Sequence, residues 1–387
     1  MRKRFNLKSK IQEFLYYPFV HESNEHKPNF VLIITIGIIS FLGLLMLSSA
    51  SSVQAFQRYG DSYYFLKHQI IRGFIPGLIF FFIFARIDYR KWKKYAFWML
   101  VGTIALLVLV FIPGIGESYG KAHSWIVLGP MSFQPTEIVK LTFLIYLSTW
   151  LAKKTEQEMG DFEYSFLPFL FLLGVIVFLI LAQPDLGTLL VIIAISFLVY
   201  FVAGARWNHI LGLILGGIII LFIAVQIAPY RLDRLTAFFN PAIDPQGTSY
   251  HITQAKIAIG SGGFLGLGMG KSRQKFNYLP EVSGDSIFAI IAEEMGFIFS
   301  VLILVLFLIV LIQGFKIARS APDDFGRLLA VGIISWFSFQ AFVNIAAMVN
   351  IVPLTGIPLP FISYGGTALT VSLMATGILV NISKQTR

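Results

Sequence analysis

Long, unbroken runs of hydrophobic residues recur along almost the whole chain, separated by short polar connections. Each run is close to the roughly 20 residues that an α-helix needs to cross a bilayer. The pattern therefore predicts an all-α polytopic membrane protein with about ten transmembrane helices. The runs lie near residues 30–50, 69–86, 95–112, 136–152, 166–182, 188–204, 210–228, 286–314, 328–350 and 365–382.

The polar connections differ in their content of lysine and arginine. Short connections that are rich in these residues remain on the cytoplasmic side of a membrane. We therefore expect both termini to be cytoplasmic, with residues 1–28 as a cytoplasmic N-terminal segment and 29–387 as one membrane domain. The basic residues that support this orientation are Arg2, Lys3, Arg4, Lys8, Lys10, Arg86, Arg90, Lys91, Lys93, Lys94, Lys153, Lys154, Arg206, Lys316, Arg319, Arg327, Lys384 and Arg387.

The longest outward connection is a large extracytoplasmic loop, residues 229–285, between predicted helices 7 and 8. It is basic although it is expected outside, and long loops cross the membrane largely regardless of charge. Its cations are either solvated surface or contacts for an anionic, phosphate-bearing substrate. They are Arg231, Arg234, Lys256, Lys271, Arg273 and Lys275.

Two local patterns subdivide this loop. Residues 250–259 have apolar positions at helical spacing, which predicts a short amphipathic helix. Residues 260–270 are rich in glycine, a composition suited to a tightly wound re-entrant loop or an anion-binding nest. The Gly270-Lys271-Ser272 sequence is not a phosphate-binding P-loop, because Leu265 occupies the position of the first required glycine.

Composition narrows the function classes. The chain has 387 residues, of which 56% are hydrophobic and 13% charged, and its net charge is +10. In a membrane protein such a charge is typical of cytoplasmic loops that face anionic membrane lipid, so we expect no nucleic acid partner. The absence of cysteine excludes disulfides, thiol catalysis and cysteine metal sites.

Ionisable residues at membrane depth are functional candidates, because an unpaired charge there costs several kcal/mol. Glu137 and Lys140 follow Pro135 at the start of a helix and lie three residues apart, so they can pair on one face. This pair is either a structural salt bridge or part of a site.

A second candidate is Asp185, which is bracketed by Pro184 and Gly187 at the junction of the fifth and sixth runs. A carboxylate at a bent helix end suits a cavity. It also suits an N-cap, since aspartate is favoured at helix N-termini. Both interpretations remain open at this point.

A third group of carboxylates enters the eighth run beside the basic loop. Asp285 stands where the loop meets the helix, Glu281 precedes it, and Glu293 and Glu294 follow. Asp285 is either the N-cap of that helix or a functional carboxylate, and the clustering favours function. Such groups relay protons in transporters or act as a base on a hydroxyl nucleophile.

A proline- and glycine-rich outward loop, residues 353–366, precedes the tenth run, and we expect it to form a stiff re-entrant turn that holds Ser363.

Taken together, the motifs resemble the SEDS proteins (shape, elongation, division, sporulation), the bacterial peptidoglycan polymerases that include FtsW, RodA and SpoVE. The resemblance extends from the first run to the C-terminus. It is carried by FQPTEIVK at 133–140, AQPDLGT at 182–188, PYRLDRLTAFFNP at 229–241, YHITQAKIAIGSGGFLGLG at 250–268, KFNYLPE at 275–281, IFAIIAEEMG at 287–296, WFSFQAFVN at 336–344 and LTGIPLPFISYGG at 354–366.

The resemblance implies an inverting glycosyltransferase that polymerises lipid II through β-1,4 linkages on the outer face of the bacterial cytoplasmic membrane. It places the essential carboxylate, the expected general base, on Asp285. It also implies that Lys256, Arg273 and Lys275 stabilise the diphosphate leaving group, with or without a divalent cation such as Mg²⁺ or Mn²⁺. Other positions that the resemblance marks as important for activity fall on Glu137, Lys140, Asp185 and Ser363.

The implied partners are lipid II, the growing glycan chain, a single-pass class B penicillin-binding protein and the divisome or elongasome. The segments AFFNP and WFSFQ look like FtsW, whereas YHITQAKIAIGSGG and the absence of lysine around 354–355 look like RodA. The resemblance to FtsW is favoured and predicts a location at the division septum, and roles in elongation or sporulation stay open. The chain departs from the family pattern at two places: it has Ser283-Gly284 where members have His-Thr before the aspartate, and it lacks the usual arginine before Trp125, for which Lys121 or His123 is a substitute.

Two other functions fit the same residues. A lipid II flippase would use the buried Glu137, Lys140 and Asp185 as coupling or substrate groups. A non-catalytic scaffold would only recruit the transpeptidase, and would tolerate loss of Asp285.

Overall fold

A computed structural model describes residues 26–119, 122–129, 131–227, 229–240, 244 and 246–386, and these residues are mostly helical. The predicted cytoplasmic segment lies largely outside the described residues. The first half contains α1 (Phe30–Ala50), α2 (Ser52–Tyr59), α3 (Tyr64–Gln69), α4 (Ile75–Arg86), α5 (Trp92–Leu109), β1 (Gly116–Tyr119), β2 (Ala122–Leu128), β3 (Met131–Phe133), α6 (Pro135–Leu151) and α7 (Glu156–Met159).

The second half contains the helices that carry most of the candidate residues. They are α8 (Leu167–Leu181), α9 (Leu186–Val202), α10 (Trp207–Ile227), α11 (Pro229–Phe239), α12 (Tyr250–Ser261), α13 (Ile287–Arg319), α14 (Asp324–Met348) and α15 (Gly366–Lys384). A single π-helical turn, Ile70–Phe74, joins α3 to α4, so these two helices run on as one. A second π-helical turn, Phe162–Phe166, leads directly into α8.

Each of the predicted apolar runs lies mostly on one of these helices. Within the described residues, seven helical stretches are long and apolar enough to cross a membrane, and α9 is a shorter apolar helix. The seven are Phe30–Ala50, Tyr64–Arg86, Tyr89–Leu109, Phe162–Leu181, Ile287–Arg319, Asp324–Met348 and Gly366–Lys384. The exact number of ten spans stays a prediction.

A small β-sheet corrects the all-α prediction. Three antiparallel strands in the order β1-β2-β3 fill the connection between α5 and α6. The sheet leads directly into α6, which begins with Pro135 in its first turn, where proline costs no helical hydrogen bond. The fold is therefore mostly helical with one short sheet.

Helices α14 and α15 form the centre of the bundle. In their most apolar windows, 83% of α14 residues and 72% of α15 residues are buried, against 22% for the stretch that contains α5. Glycines allow α15 to approach α4 closely: a Cβ on Gly77 would lie 3.2 Å from the Thr370 Cα, and one on Gly377 would lie 2.5 Å from the Phe81 carbonyl oxygen. Small residues serve the same purpose at helix contacts in membranes generally.

One end of the bundle is held by the residue that caps α14. Asp323 accepts hydrogen bonds from the backbone N–H of Gly326 (2.9 Å), the Tyr89 hydroxyl (2.7 Å) and Arg90 Nε (3.0 Å), with Lys93 Nζ at 3.6 Å. Partial burial acts to raise the pKa of Asp323, but these hydrogen bonds outweigh it and lower that pKa below its usual value.

Helix α13 is broken at Gly296, whose φ of 77° and ψ of −175° lie outside the helical region. The glycine-rich segment 260–270 packs against this break. The N–H groups of Leu267 and Gly268 donate to the carbonyls of Glu293 and Glu294, at 2.9 Å each. This geometry agrees with a tightly wound loop. The N–H groups of Leu267 and Gly268 are bonded to carbonyl oxygens of the broken helix, so these two are not available to an anion.

Candidate active site

A tight turn immediately before α13 carries Asp285. The carbonyl oxygen of Glu281 accepts hydrogen bonds from the N–H groups of Gly284 (2.9 Å) and Ser286 (3.2 Å). Glu281 has a φ of 50°, in the left-handed region that few residues with a side chain adopt. Strain of this kind persists only when surrounding structure holds it, and it is concentrated at functional sites.

Asn344 on α14 fixes the backbone of Asp285. Its Nδ2 group donates to the Asp285 carbonyl oxygen and to the Ile357 carbonyl oxygen, both at 2.8 Å. The side chain of Asp285 is half-buried and faces the same proline- and glycine-rich segment, since a Cβ on Gly356 would lie 3.9 Å from Asp285 Oδ2. The segment 353–366 therefore lies beside the carboxylate.

Ser363 ties that segment to the turn. Its hydroxyl donates to the Gly284 carbonyl oxygen at 2.7 Å and accepts from the Leu359 N–H at 2.8 Å. The next residue, Tyr364, donates its N–H to the Ser283 carbonyl oxygen at 2.8 Å. Ser363 thus acts on Asp285 through the backbone in this structure, and a contact with substrate stays a prediction.

Charged side chains meet around the turn. Desolvation by the surrounding protein raises the pKa of Glu281 above its usual range although the residue is exposed at the surface, and the nearby Asp285 carboxylate raises it further, whereas His251 and Arg58 act in the opposite direction. His251, in the first turn of α12, places Nε2 2.6 Å from the Ser286 hydroxyl. The turn therefore combines two carboxylates with an imidazole and a guanidinium group.

Asp185 caps α9, which was one of the two interpretations of the sequence. Its Oδ1 accepts from the Thr188 N–H at 3.0 Å, and its Oδ2 accepts from Gln134 Nε2 at 3.2 Å. The same helix start packs on the segment beside Asp285, because a Cβ on Gly187 would lie 2.9 Å from the Thr355 carbonyl oxygen. The structure thus brings Asp185 and Asp285 beside the segment 353–366, which itself carries Ser363.

Glu137 and Lys140 form a buried ion pair at 2.7 Å, with side chains 3% and 2% exposed respectively. Lys140 Nζ also donates to Gln340 Oε1 at 3.1 Å and lies 4.8 Å from the Trp336 ring centroid. The cavity beside Lys140 measures about 10 Å³, which is barely the size of one water. The pair joins α6 to α14, and its role in substrate binding stays a prediction.

Lys275 is placed differently from the expectation of a diphosphate ligand. It is buried, and its ammonium group contacts Glu294 Oε1 (2.9 Å), Ser49 Oγ (3.2 Å) and the Gly270 carbonyl oxygen (2.7 Å). An ammonium group has three donors, and all three are used inside the protein. Lys275 is therefore an internal cation that joins the loop to α1 and α13.

Lys256 and Arg273 are exposed, so their side chains are accessible to an anionic ligand. The Arg273 backbone is fixed by its N–H, which donates to Glu293 Oε1 at 2.9 Å. Lys121 lies outside the described residues, and its proposed role, like that of His123, stays a prediction.

The sequence analysis did not single out His251 and Asn344. Both lie in the quoted family-like segments, at 250–268 and 336–344. Asn344 is 1% exposed in an apolar helix, and a buried polar residue in such a helix is itself a sign of function or of a fixed hydrogen bond.

Within the part of the chain that the structure describes, no three His, Cys, Asp or Glu residues are grouped so that they could hold a metal ion. Glu281 and Asp285 offer two carboxylates, fewer than a protein-only Mg²⁺ or Mn²⁺ site uses. The described residues therefore hold no protein-only metal site, and the divalent cation that the resemblance implies stays a prediction.

The sequence and the fold of this chain are similar to those of known proteins. The family model described as "Cell cycle protein", for FtsW, RodA and SpoVE, matches residues 29–387. Stage V sporulation protein E of Bacillus subtilis is 42% identical over 363 residues, covering 93% of this chain and 98% of that protein. A probable peptidoglycan glycosyltransferase FtsW of Geobacter metallireducens is 39% identical over 353 residues, covering 91% and 93%.

Solved structures agree. A chain from a peptidoglycan synthase complex, solved to explain how polymerization and crosslinking are coordinated, has a TM-score of 0.75 at 28% identity and covers 92% of this chain and 97% of its own length. The rod shape determining protein RodA of Thermus thermophilus has a TM-score of 0.68 at 27% identity, with coverage of 92% and 96%. The chain therefore belongs to the FtsW, RodA and SpoVE family of cell cycle proteins, and it is a multi-pass membrane protein.

Proposed function

We propose that this chain is a peptidoglycan glycosyltransferase that polymerises lipid II into glycan strands, with Asp285 as the general base. The observation that carries the proposal is the turn before α13, where Asn344 and Ser363 fix the backbone on both sides of a half-buried carboxylate. A base must be held at one position relative to the hydroxyl that it deprotonates. Relatives named as peptidoglycan glycosyltransferases support the choice of reaction.

The proposed topology has ten spans, with α6, α9 and α10 added to the seven long apolar stretches. Residues 29–387 form one membrane domain, both termini are cytoplasmic, and residues 229–285 form the outer loop between spans 7 and 8. The distribution of lysine and arginine supports this orientation. Asp285 then lies at the outer membrane surface, where a lipid-linked sugar can reach it.

The proposed reaction is a displacement at an anomeric carbon. The 4-hydroxyl oxygen of one lipid-linked sugar forms the new bond to the anomeric carbon of another chain, and the bond to its diphosphate breaks with the electron pair leaving on the diphosphate. Asp285 accepts the hydroxyl proton. The exposed Lys256 and Arg273 stabilise the charge that develops on the leaving diphosphate.

In this proposal, Asp185 caps the helix that packs on the segment 353–366, and Ser363 ties that segment to the turn of Asp285. The Glu137–Lys140 pair contacts Gln340, which donates to the Pro358 carbonyl oxygen of the same segment. The proposed location is the bacterial cytoplasmic membrane, at the division septum if the similarity to FtsW extends to function. The proposed partner is a single-pass class B penicillin-binding protein of the divisome or elongasome. The solved complex with similar architecture supports a partner of this kind.

The test is polymerisation by purified protein. Wild type in detergent, with its partner and lipid II, should produce glycan polymer, whereas Asp285→Ala and the isosteric Asp285→Asn should produce none. Glu163→Gln, which neutralises an exposed carboxylate before α8, should retain wild-type activity. Polymer from both Asp285 variants would overturn the assignment of the base.

The same preparations separate the polymerase from the flippase. A flippase would move labelled lipid II between the leaflets of proteoliposomes without making polymer, and Asp285→Asn would leave that movement intact. If partner-bound wild type moved lipid II between the leaflets but made no glycan polymer, the proposed function would be overturned.

A further inference from the structure

Helix α14 carries three buried polar side chains on one face. Trp336, Gln340 and Asn344 are spaced four residues apart, so they lie one above another along the helix. Trp336 and Asn344 are each 1% exposed, and Gln340 is 3% exposed. Asn344 fixes the backbone of Asp285, whereas Gln340 has as yet no part of its own in the proposed reaction.

Gln340 contacts two different elements with the opposite ends of its amide. Its Oε1 atom accepts from Lys140 Nζ at 3.1 Å and from Trp336 Nε1 at 2.7 Å. Its Nε2 group donates to the Pro358 carbonyl oxygen at 2.8 Å. An ammonium group and an indole N–H can only donate, and a carbonyl oxygen can only accept, so one orientation of the amide satisfies all three partners. The neighbours of Gln340 therefore fix its orientation.

The next turn of α14 holds the adjacent residue of the same segment. Asn344 Nδ2 donates to the carbonyl oxygens of Ile357 and Asp285, at 2.8 Å each. The consecutive carbonyl groups of Ile357 and Pro358 are thus bound by side chains one helical turn apart. Two contacts fix both the position and the tilt of the segment 353–366 against α14, whereas a single contact would allow it to pivot.

The Glu137–Lys140 pair behind Gln340 is closed to a ligand as large as a sugar. Its side chains are 3% and 2% exposed, and the Lys140 ammonium group is occupied by Glu137 Oε1, Gln340 Oε1 and the face of the Trp336 ring. The adjoining cavity, about 10 Å³, is otherwise lined mainly by apolar side chains. A pair in this position acts on the site through the side chains that it contacts.

We propose that Gln340 is a positioning residue of the Asp285 site, which anchors Pro358 to the buried Glu137–Lys140 pair. The inference rests on the proposed function of Asp285 as a base, and it gives Lys140 a task other than contact with substrate. Lys140 holds the Oε1 end of the amide, so that Nε2 stays directed at Pro358. The segment 353–366 then keeps one position beside the carboxylate, and misplacement by about 1 Å near a reacting group costs roughly a hundredfold in rate.

The first experiment measures polymerisation by Gln340→Met, with Gln313→Met as the matched control. Methionine keeps most of the side-chain volume and cannot hold Pro358. Gln313 also loses one hydrogen bond, from Asn29, but it lies in the last two turns of α13, at the opposite end from Asp285. We expect Gln340→Met to lower kcat by roughly ten- to a hundredfold and to change KM by less than about twofold. Gln313→Met should match wild type.

A double-variant cycle tests whether the ion pair acts through Gln340. Glu137→Gln combined with Lys140→Met removes both charges together, so no buried charge is left without a partner. If the pair acts through Gln340, adding Gln340→Met to this charge-free variant should change kcat by no more than about twofold. If the two losses of kcat multiply instead, the inference is overturned.

Other outcomes of these assays also decide the matter. Wild-type kcat in folded Gln340→Met overturns the inference and leaves the proposed function of Asp285 intact. A rise in KM without loss of kcat overturns it too, because it indicates contact with substrate. Inactive wild type instead counts against the proposed function. If Gln340→Met does not fold, the exchange measurement that follows decides the inference.

Hydrogen exchange tests the anchor without an assay of polymerisation. Amide exchange is followed by mass spectrometry in lipid nanodiscs, for wild type and for the charge-free variant of Glu137 and Lys140. Release of Pro358 should raise exchange in the segment 353–366 by about three- to tenfold and leave the segment 260–270, which α13 holds, unchanged. Equal exchange in wild type and variant, or the same rise in both segments, overturns the inference whether or not the protein polymerises lipid II.

Discussion

Replacement of Lys275 by methionine tests whether the long basic loop, residues 229–285, is held by a buried charge. The substitution keeps most of the side-chain volume and removes the ammonium group. Glu294, which has no exposed surface, then loses its cation but keeps hydrogen bonds from Ser49 Oγ (2.7 Å to Oε2) and the Ser272 N–H (3.3 Å). The Gly270 carbonyl oxygen also loses its donor.

The expected cost follows from these contacts. Removing one partner of a buried ion pair costs about 3–5 kcal/mol, because it leaves an uncompensated charge in a poorly polar environment. The remaining hydrogen bonds to Glu294 place Lys275→Met near the lower end, at about 3 kcal/mol. Adding Glu294→Gln removes the stranded charge, so the double variant should be more stable than Lys275→Met alone.

Thermal unfolding in detergent, followed by intrinsic tryptophan fluorescence, measures the effect. Thiol-reactive dyes are unsuitable because the chain has no cysteine. Lys271→Met is the matched control, since Lys271 is an exposed cation in the same loop and its loss should cost no more than about 0.5 kcal/mol. Equal unfolding temperatures for the Lys275 and Lys271 variants would refute the structural role of Lys275.

Two further predictions concern the supports of the bundle and the site. Ser363→Ala removes the hydroxyl that donates to the Gly284 carbonyl oxygen and accepts from the Leu359 N–H, so it should lower the free energy of unfolding by about 1–3 kcal/mol. It should also slow polymerisation at saturating lipid II, and unchanged stability and kcat would contradict the link between Ser363 and the Asp285 turn. Asp323→Asn keeps the cap of α14 but loses the charge, so it should destabilise by about 1 kcal/mol at pH 7. Because the folded-state pKa of Asp323 is lowered, this difference should begin to shrink as pH falls below the usual value of 3.8 and should vanish once pH is below the folded-state pKa; a difference that stayed constant as pH fell through this range would count against the charge.

The helices could be predicted from sequence because a bilayer leaves the backbone few alternatives. An apolar run must satisfy its own N–H and C=O groups in lipid, and a helix does so within one segment. Pro135 and Asp185, which are residue types favoured at helix N-termini, indicated the starts of α6 and α9. The sheet between α5 and α6 was missed, since its strands are only 4, 7 and 3 residues long and sit in a polar connection.

Charge and residue type also identified the candidate site, but not what each residue contacts. Asp285 and Asp185 were recognised as carboxylates at helix starts, and the structure places both beside the segment 353–366. Lys275 looked like any other loop cation, although its partners are Glu294, 19 positions away, and Ser49, 226 positions away.

The sequence by itself determined the mostly helical membrane architecture, the long basic loop and the carboxylates worth testing. Those properties depend on hydrophobicity and local spacing, which each segment carries without reference to the others. Only the tertiary structure decided that Lys275 is internal, that the glycine-rich segment 260–270 hydrogen-bonds to α13 beside its break at Gly296, and that His251 contacts the Ser286 hydroxyl. Each of these depends on a contact between distant segments, and burial in a folded chain changes what a charged or polar side chain can do.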